Sequence, residues 1–184
     1  MRQPRTTAVL CTIADGAAAG TVAAACRGAL LALRDRVARL QVDVYSDEPW
    51  PPDATDAVHA LDELRRARRG RLARRFGWEP PISLELDPRD DRELDLALAV
   101  APFTLCGSGV DEDGTLLWDV NDTGTSVSFL LLPHELDAVR SHTARSGGRP
   151  EDVVVLGARR GRRERAARGA AAPSPAAPRA RRSR

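Results

Sequence analysis

Hydrophobic positions along this chain change period several times, from every second residue to every third or fourth, and each change marks a predicted element. Thr6 to Ile13 reads as a strand, with Val9, Leu10, Cys11 and Ile13 in an apolar run closed by Asp15 and Gly16. Val22, Cys26, Leu30, Leu33, Val37 and Leu40 then recur at steps of three and four. That spacing predicts one long amphipathic helix, with Arg27, Arg34 and Arg39 off its apolar stripe. Val42, Val44 and Tyr45 suggest a second strand, after which Pro49, Pro51 and Pro52 force a loop. A second helix, capped by Asp53 or Thr55, turns Ala57, Val58, Leu61 and Leu64 inward. Its continuation is dense in arginine at 65, 66, 68, 69, 71, 74 and 75, and Arg65, Arg68 and Arg75 fall on the extension of the apolar face. Gly70 weakens the helix there, so the segment is expected to fray, bend or lie over an acidic surface. Phe76 and Trp78 return the chain to the core.

Ile82 to Leu86 alternates as a third strand, and an acidic helix follows from Arg89 to about Val100, with Leu94, Ala97 and Leu98 inward. The clearest β pattern comes next, in Phe103–Val110, Thr115–Val120 and Thr125–Leu132. Asp-Glu-Asp-Gly at 111–114 and Asn-Asp-Thr-Gly at 121–124 separate them, each ending in a glycine suited to a tight turn. An antiparallel meander is expected, with Leu116, Trp118 and Val120 on one face and Val127, Phe129 and Leu131 alternating likewise. Pro133 opens a helix carrying Leu136, Val139 and His142, which Gly147, Gly148 and Pro150 end, and Val153 to Leu156 forms a last strand. The fold class is therefore α+β (or mixed α/β): a single domain over residues 1–156, followed at 157–184 by an Arg/Ala/Pro tail too poor in apolar residues to pack and expected to be disordered.

Charge sharpens that division. All 28 basic side chains are arginine. Gly157 to Arg184 carries ten arginines against one glutamate, a net charge of +9, whereas Met1 to Leu156 carries 18 arginines against 25 acids, a net charge of −7. An acidic body with a basic tail can bind two kinds of partner, or bind itself. The absence of lysine beside abundant alanine, glycine and proline points to GC-rich coding in a bacterial source, so much of the arginine is mutational background. Cys11, Cys26 and Cys106 form no Cys-x-x-Cys pair and no zinc spacing, and read as reduced residues. The alanine-rich run ending at Cys26 has the outline of a secretion signal, but Asp15 interrupts it and the helical pattern continues through Cys26. The expectation is a cytoplasmic protein without a membrane span.

Candidate chemistry is sparse. Asp122-Thr123-Gly124-Thr125 resembles the Asp-Thr-Gly triad of aspartic proteases, with Val153 to Gly157 as an aliphatic-then-glycine echo. Such proteases have two apolar residues before the aspartate, where this chain has Val120 and polar Asn121, so a hairpin loop accounts for the motif better. Gly16-Ala-Ala-Ala-Gly20-Thr21 stands between a strand and a helix, where a phosphate loop would sit, but it lacks the lysine and one residue of the Walker spacing. Small-residue packing accounts for it. Asp111, Glu112 and Asp113 do not follow calcium-loop spacing and read as a solvated turn. His134 and Asp137 lie three apart on one helix, and no serine or cysteine sits in a nucleophile elbow. No catalytic residue, metal site or cofactor is assigned.

Three functional readings follow, in descending order. The first is a non-enzymatic protein-interaction module of immunity or regulatory type, whose acidic face is made by Asp111, Glu112, Asp113, Asp119 and Asp122. Gly114 to Trp118, then Ser146 to Pro150 and the strand at 153, resemble the closing segment of bacterial toxin-immunity proteins over about a quarter of the chain. That resemblance implies an acidic face blocking a basic toxin site. The second reading is a nucleic-acid binder contacting phosphates through Arg65, Arg66, Arg68, Arg69, Arg71, Arg159, Arg160, Arg162 and Arg163. The third is an enzyme of unrecognised class using Asp119, Asp122 and His134.

Overall fold

Among the described residues a seven-stranded, wholly antiparallel sheet organises the fold. The computed structural model describes residues 7–44, 50–68 and 82–157. The strands are β1 Val9–Ile13, β2 Arg39–Val44, β3 Ile82–Leu86, β4 Cys106–Val110, β5 Leu116–Asn121, β6 Ser126–Leu131 and β7 Val153–Val155. Their order in the sheet is β3-β2-β4-β5-β6-β1-β7. The helices are α1 Ala19–Leu33, α2 Pro52–Arg68, α3 Asp91–Val100 and α4 Pro133–Arg145. The mixed α+β class follows directly. The expected meander is present as β4-β5-β6, and Tyr45, Phe76, Trp78 and everything beyond Gly157 lie outside the described residues.

The four helices of the described residues lie against one face of the sheet. α1 packs on β5, β6 and α4, while α2 and α3 pack on each other and on β3. Alternation along the strands supplies the other half of the core: Cys11, Leu40, Val42, Leu86, Trp118, Phe129 and Leu131 are buried in one cluster with Leu30, Leu33, Leu61, Leu94 and Val139 of the helices. Trp118 is the largest fully buried side chain, and its indole N–H donates to the Cys26 carbonyl at 3.2 Å. Gly107 makes room for it. A Cβ there would stand 2.6 Å from Trp118 Cζ3, closer than any packed side chain tolerates.

Three local expectations are corrected. α1 ends at Leu33, and Val37 and Leu40, predicted on its stripe, belong to the turn and to β2. Ala38 N–H donates to Val110 O at 2.8 Å, so pairing with β4 captures the residues that helical spacing also fitted. In β5 it is Leu117 that is buried, while Leu116 is exposed, because a register shift at Gly109/Val110 places an extra residue in β5 and changes its facing. Thr55 does not cap α2: the helix opens at Pro52, and the Thr55 hydroxyl donates to the Pro51 carbonyl at 3.1 Å.

Side-chain carboxylates tie down the starts of α3 and α4. Asp90 caps α3 by accepting from Arg92 N–H at 2.9 Å and Glu93 N–H at 3.2 Å. At α4, buried Glu135 accepts from Leu132 N–H at 2.6 Å and pairs with Arg36 at 2.6 Å, tying the α1–β2 turn to the start of the last helix. Among the described residues no helix is long and apolar enough to cross a membrane.

Candidate functional site

The face of the sheet opposite the helices has no covering element among the described residues. Strand pairing orders its side chains into rows. One row runs Glu85, Gln41, Ser108, Asp119, Ser128 across β3, β2, β4, β5 and β6. The next runs Ser83, Asp43, Cys106, Asn121, Ser126. None of these residues is buried. At one end of the face the composition turns more apolar, with Val110 and Leu116 in one row beside exposed Arg39 of β2, and with Leu130 beside Leu10, which is joined in turn to Leu156 by the Leu156 N–H to Leu10 O bond of 2.8 Å. Leu10, Leu116 and Leu156 are 45%, 46% and 48% exposed, so three leucines on one end of one face are left in water.

Two of the three carboxylates on this face, Asp43 and Asp119, accept from side-chain amides. Asn121 Nδ2 donates to Asp119 Oδ1 at 2.9 Å, and Gln41 Nε2 donates to Asp43 Oδ1 at 3.4 Å. No arginine among the described residues forms an ion pair with Glu85, Asp43 or Asp119. Cys106 sits between them as an exposed thiol. Partial burial and then the charges of Asp43 and Asp119 push its pKa up.

The acidic residues singled out from the sequence are divided among three places. Only Asp119 lies on the open face. Asp111, Glu112 and Asp113 form the tip of the β4–β5 hairpin, where Asp111 Oδ1 accepts from Thr115 N–H at 2.8 Å and Asp113 N–H at 3.0 Å. Those bonds hold the Asp111 carboxyl below the ordinary aspartate range, and Glu112 stands 3.6 Å from Arg89. Asp122 is at the opposite end of β5, about 20 Å away along a six-residue strand. Sequence reasoning missed Asp43 and Glu85. Their signal was the polar parity of β2 and β3, which becomes informative only once β2 is known to lie beside β4.

Arg65, Arg66 and Arg68 engage carboxylates of the body itself. Arg65 is 3% exposed and pairs with Asp62, Arg66 reaches the same carboxylate at 2.6 Å, and Arg68 bonds Glu93 and the Glu85 carbonyl. Arg65 and Arg66 thus pair within α2, Arg68 reaches α3, and the rest of the segment expected to fray, bend or lie over an acidic surface is outside the described residues. Arg69, Arg71, Arg159, Arg160, Arg162 and Arg163 lie outside the described residues.

A second feature is a cleft of about 680 Å³ at the end of the sheet. The two motifs read separately in the sequence meet in its lining: Gly16 and Ala19, before and at the start of α1, line it together with Thr123, Gly124 and Thr125 and with Val22, Pro102 and Phe103. Asp122 and Thr123 have φ of 50° and 56°, a left-handed pair of non-glycine residues that costs about 1–2 kcal/mol each. Asp122 and His134 bracket β6 from opposite ends, so Asp119, Asp122 and His134 do not form one catalytic group. Among the described residues no group of three or more His, Cys, Asp or Glu side chains is arranged to hold a metal ion.

Comparison of the chain with protein-family models, with curated proteins and with solved structures returns no match.

Proposed function

We propose that this protein is a non-enzymatic protein-binding module whose recognition surface is the open face of the sheet, and that its partner presents basic side chains beside apolar ones. One observation carries the reading: Glu85, Asp43 and Asp119 stand on an uncovered face without cationic partners among the described residues, next to exposed Leu10, Leu116 and Leu156. Exposed leucines gathered at one end beside carboxylates that carry no ion pair among the described residues offer complementary contacts to such a partner. Seven strands about 4.8 Å apart and some 17 Å long offer roughly 500 Å². That is below the roughly 800 Å² per partner of a standard interface, so micromolar, reversible binding is expected. An exposed free thiol at Cys106 fits a reducing, cytoplasmic setting.

The test is an amide chemical-shift titration of the full chain with a synthetic peptide of alternating arginine and leucine. Shift changes should concentrate on β2, β4, β5 and β6 and disappear in E85Q/D43N/D119N. Changes confined to the cleft or to the helices, or an unaltered response in the triple variant, would reject the reading.

A further inference from the structure

We infer that the arginine-rich C-terminal segment, residues 158–184, docks in cis on the open face and acts as a built-in competitor of the external partner. This rests on the reading of that face as a recognition surface for basic chemistry. Three observations support the assignment. The first is where the described chain ends. β7 is an edge strand and Leu156, bonded to Leu10, lies at the apolar end of the open face, so the described chain ends at the margin of that face.

The second is reach. Asp119 lies three strand spacings from β7, about 14 Å, and Asp43 lies five, about 24 Å. Arg159, Arg160, Arg162, Arg163, Arg165 and Arg168 fall within eleven residues of Gly157, a span of up to about 36 Å. The third is charge. That segment supplies ten arginines against one glutamate, and the face supplies Glu85, Asp43 and Asp119, without an ion pair among the described residues and with Arg39 at its margin. A tethered ligand acts at an effective concentration on the order of millimolar, so contacts too weak to matter between molecules still compete within one.

Cys106 makes the idea directly testable, because it sits in the carboxylate row while Cys11 and Cys26 are buried. A nitroxide attached to Cys106 of the full chain should attenuate the amide signals of residues 159–168. Exposed ion pairs are individually weak, so the expected loss is roughly half the intensity at low salt. About 0.5 M salt, where the Debye length falls to about 4 Å, should restore it. The variant E85Q/D43N/D119N should restore it too. Moving the label within the row, in C106S/S126C, guards against obstruction by the label itself.

Full signal at low salt with both label positions would overturn the inference and leave the peptide titration of the face standing. Attenuation of unlabelled chains mixed with labelled ones would also overturn it, by assigning the contact to a second copy. If the peptide titration fails while attenuation is found, the segment docks but the face has no role in binding a partner.

Discussion

Trp118 and Asp119 are neighbours in β5, and they belong to opposite economies of the molecule. On the helix side Trp118 is fully buried, its N–H is bonded, and Gly107 is shaped to it. On the open side Asp119 has an amide for company and no cation among the described residues. One step along the strand passes from a position where every contact is made to one where contacts are offered. The contrast teaches that stability and recognition are divided by the parity of position in the sheet, so substitutions on the two faces should separate cleanly.

The largest effect should come from breaking the inner face at its centre. Trp118→Ala removes a buried ring and leaves the Cys26 carbonyl without that donor, for a loss of about 3–5 kcal/mol in urea unfolding. Gly107→Ala tests the same contact from the other side. Its new Cβ would collide with a ring packed too tightly to retreat, and about 1–3 kcal/mol should be lost. A neutral Gly107→Ala would mean that the tryptophan is not seated on β4, and the sharp division between faces would blur.

Much of the fold could be read because it is local. Alternation in Val127, Phe129 and Leu131, turn chemistry at Asp111–Gly114, and the Pro133 start of α4 are each settled within a few residues, and all three are found. Val37 and Leu40 show where this stops. Their spacing fits both a helix and a strand, and the choice falls to pairing with β4, some seventy residues away. The site failed for the same reason. Asp43, Cys106 and Asn121 become one row only through strand order, and the inverted facing of Leu116 depends on a register shift at a glycine. Acidic residues close in sequence drew attention to the hairpin tip, whereas those close in space came from three separate strands.

A smaller effect concerns the turn between β5 and β6, which belongs to neither face. The sequence treats Asp-Glu-Asp-Gly and Asn-Asp-Thr-Gly alike, yet only the second puts non-glycine residues at positive φ. In the first, Gly114 alone takes that conformation, with φ of 80°. Thr123→Gly should relieve strain of about 1–2 kcal/mol against a glycine entropy cost of about 0.5–1, a net gain of roughly 0.5–1 kcal/mol in stability. Thermal unfolding reads this directly. Destabilisation instead would mean that the Thr123 side chain, whose hydroxyl donates to the Asp122 carbonyl at 2.6 Å, holds the turn together.

The smallest effect on stability should be the most informative about the open face. Asp43→Asn with Asp119→Asn replaces two half-exposed carboxylates by isosteres, and the unfolding free energy should move by no more than about 0.5 kcal/mol. The Cys106 thiol should respond nonetheless. Burial and the two carboxylates together hold its pKa above the ordinary cysteine value. Removing the charges removes the second cause and keeps the first, so the midpoint of its alkylation-rate profile should fall without fully returning to the ordinary value. At a fixed pH below that midpoint the thiolate fraction rises, and labelling should be faster. An unchanged midpoint would mean that the carboxylates of β2 and β5 do not act on the thiol between them, and the face would lose the electrostatic unity that makes it a credible site for a basic partner.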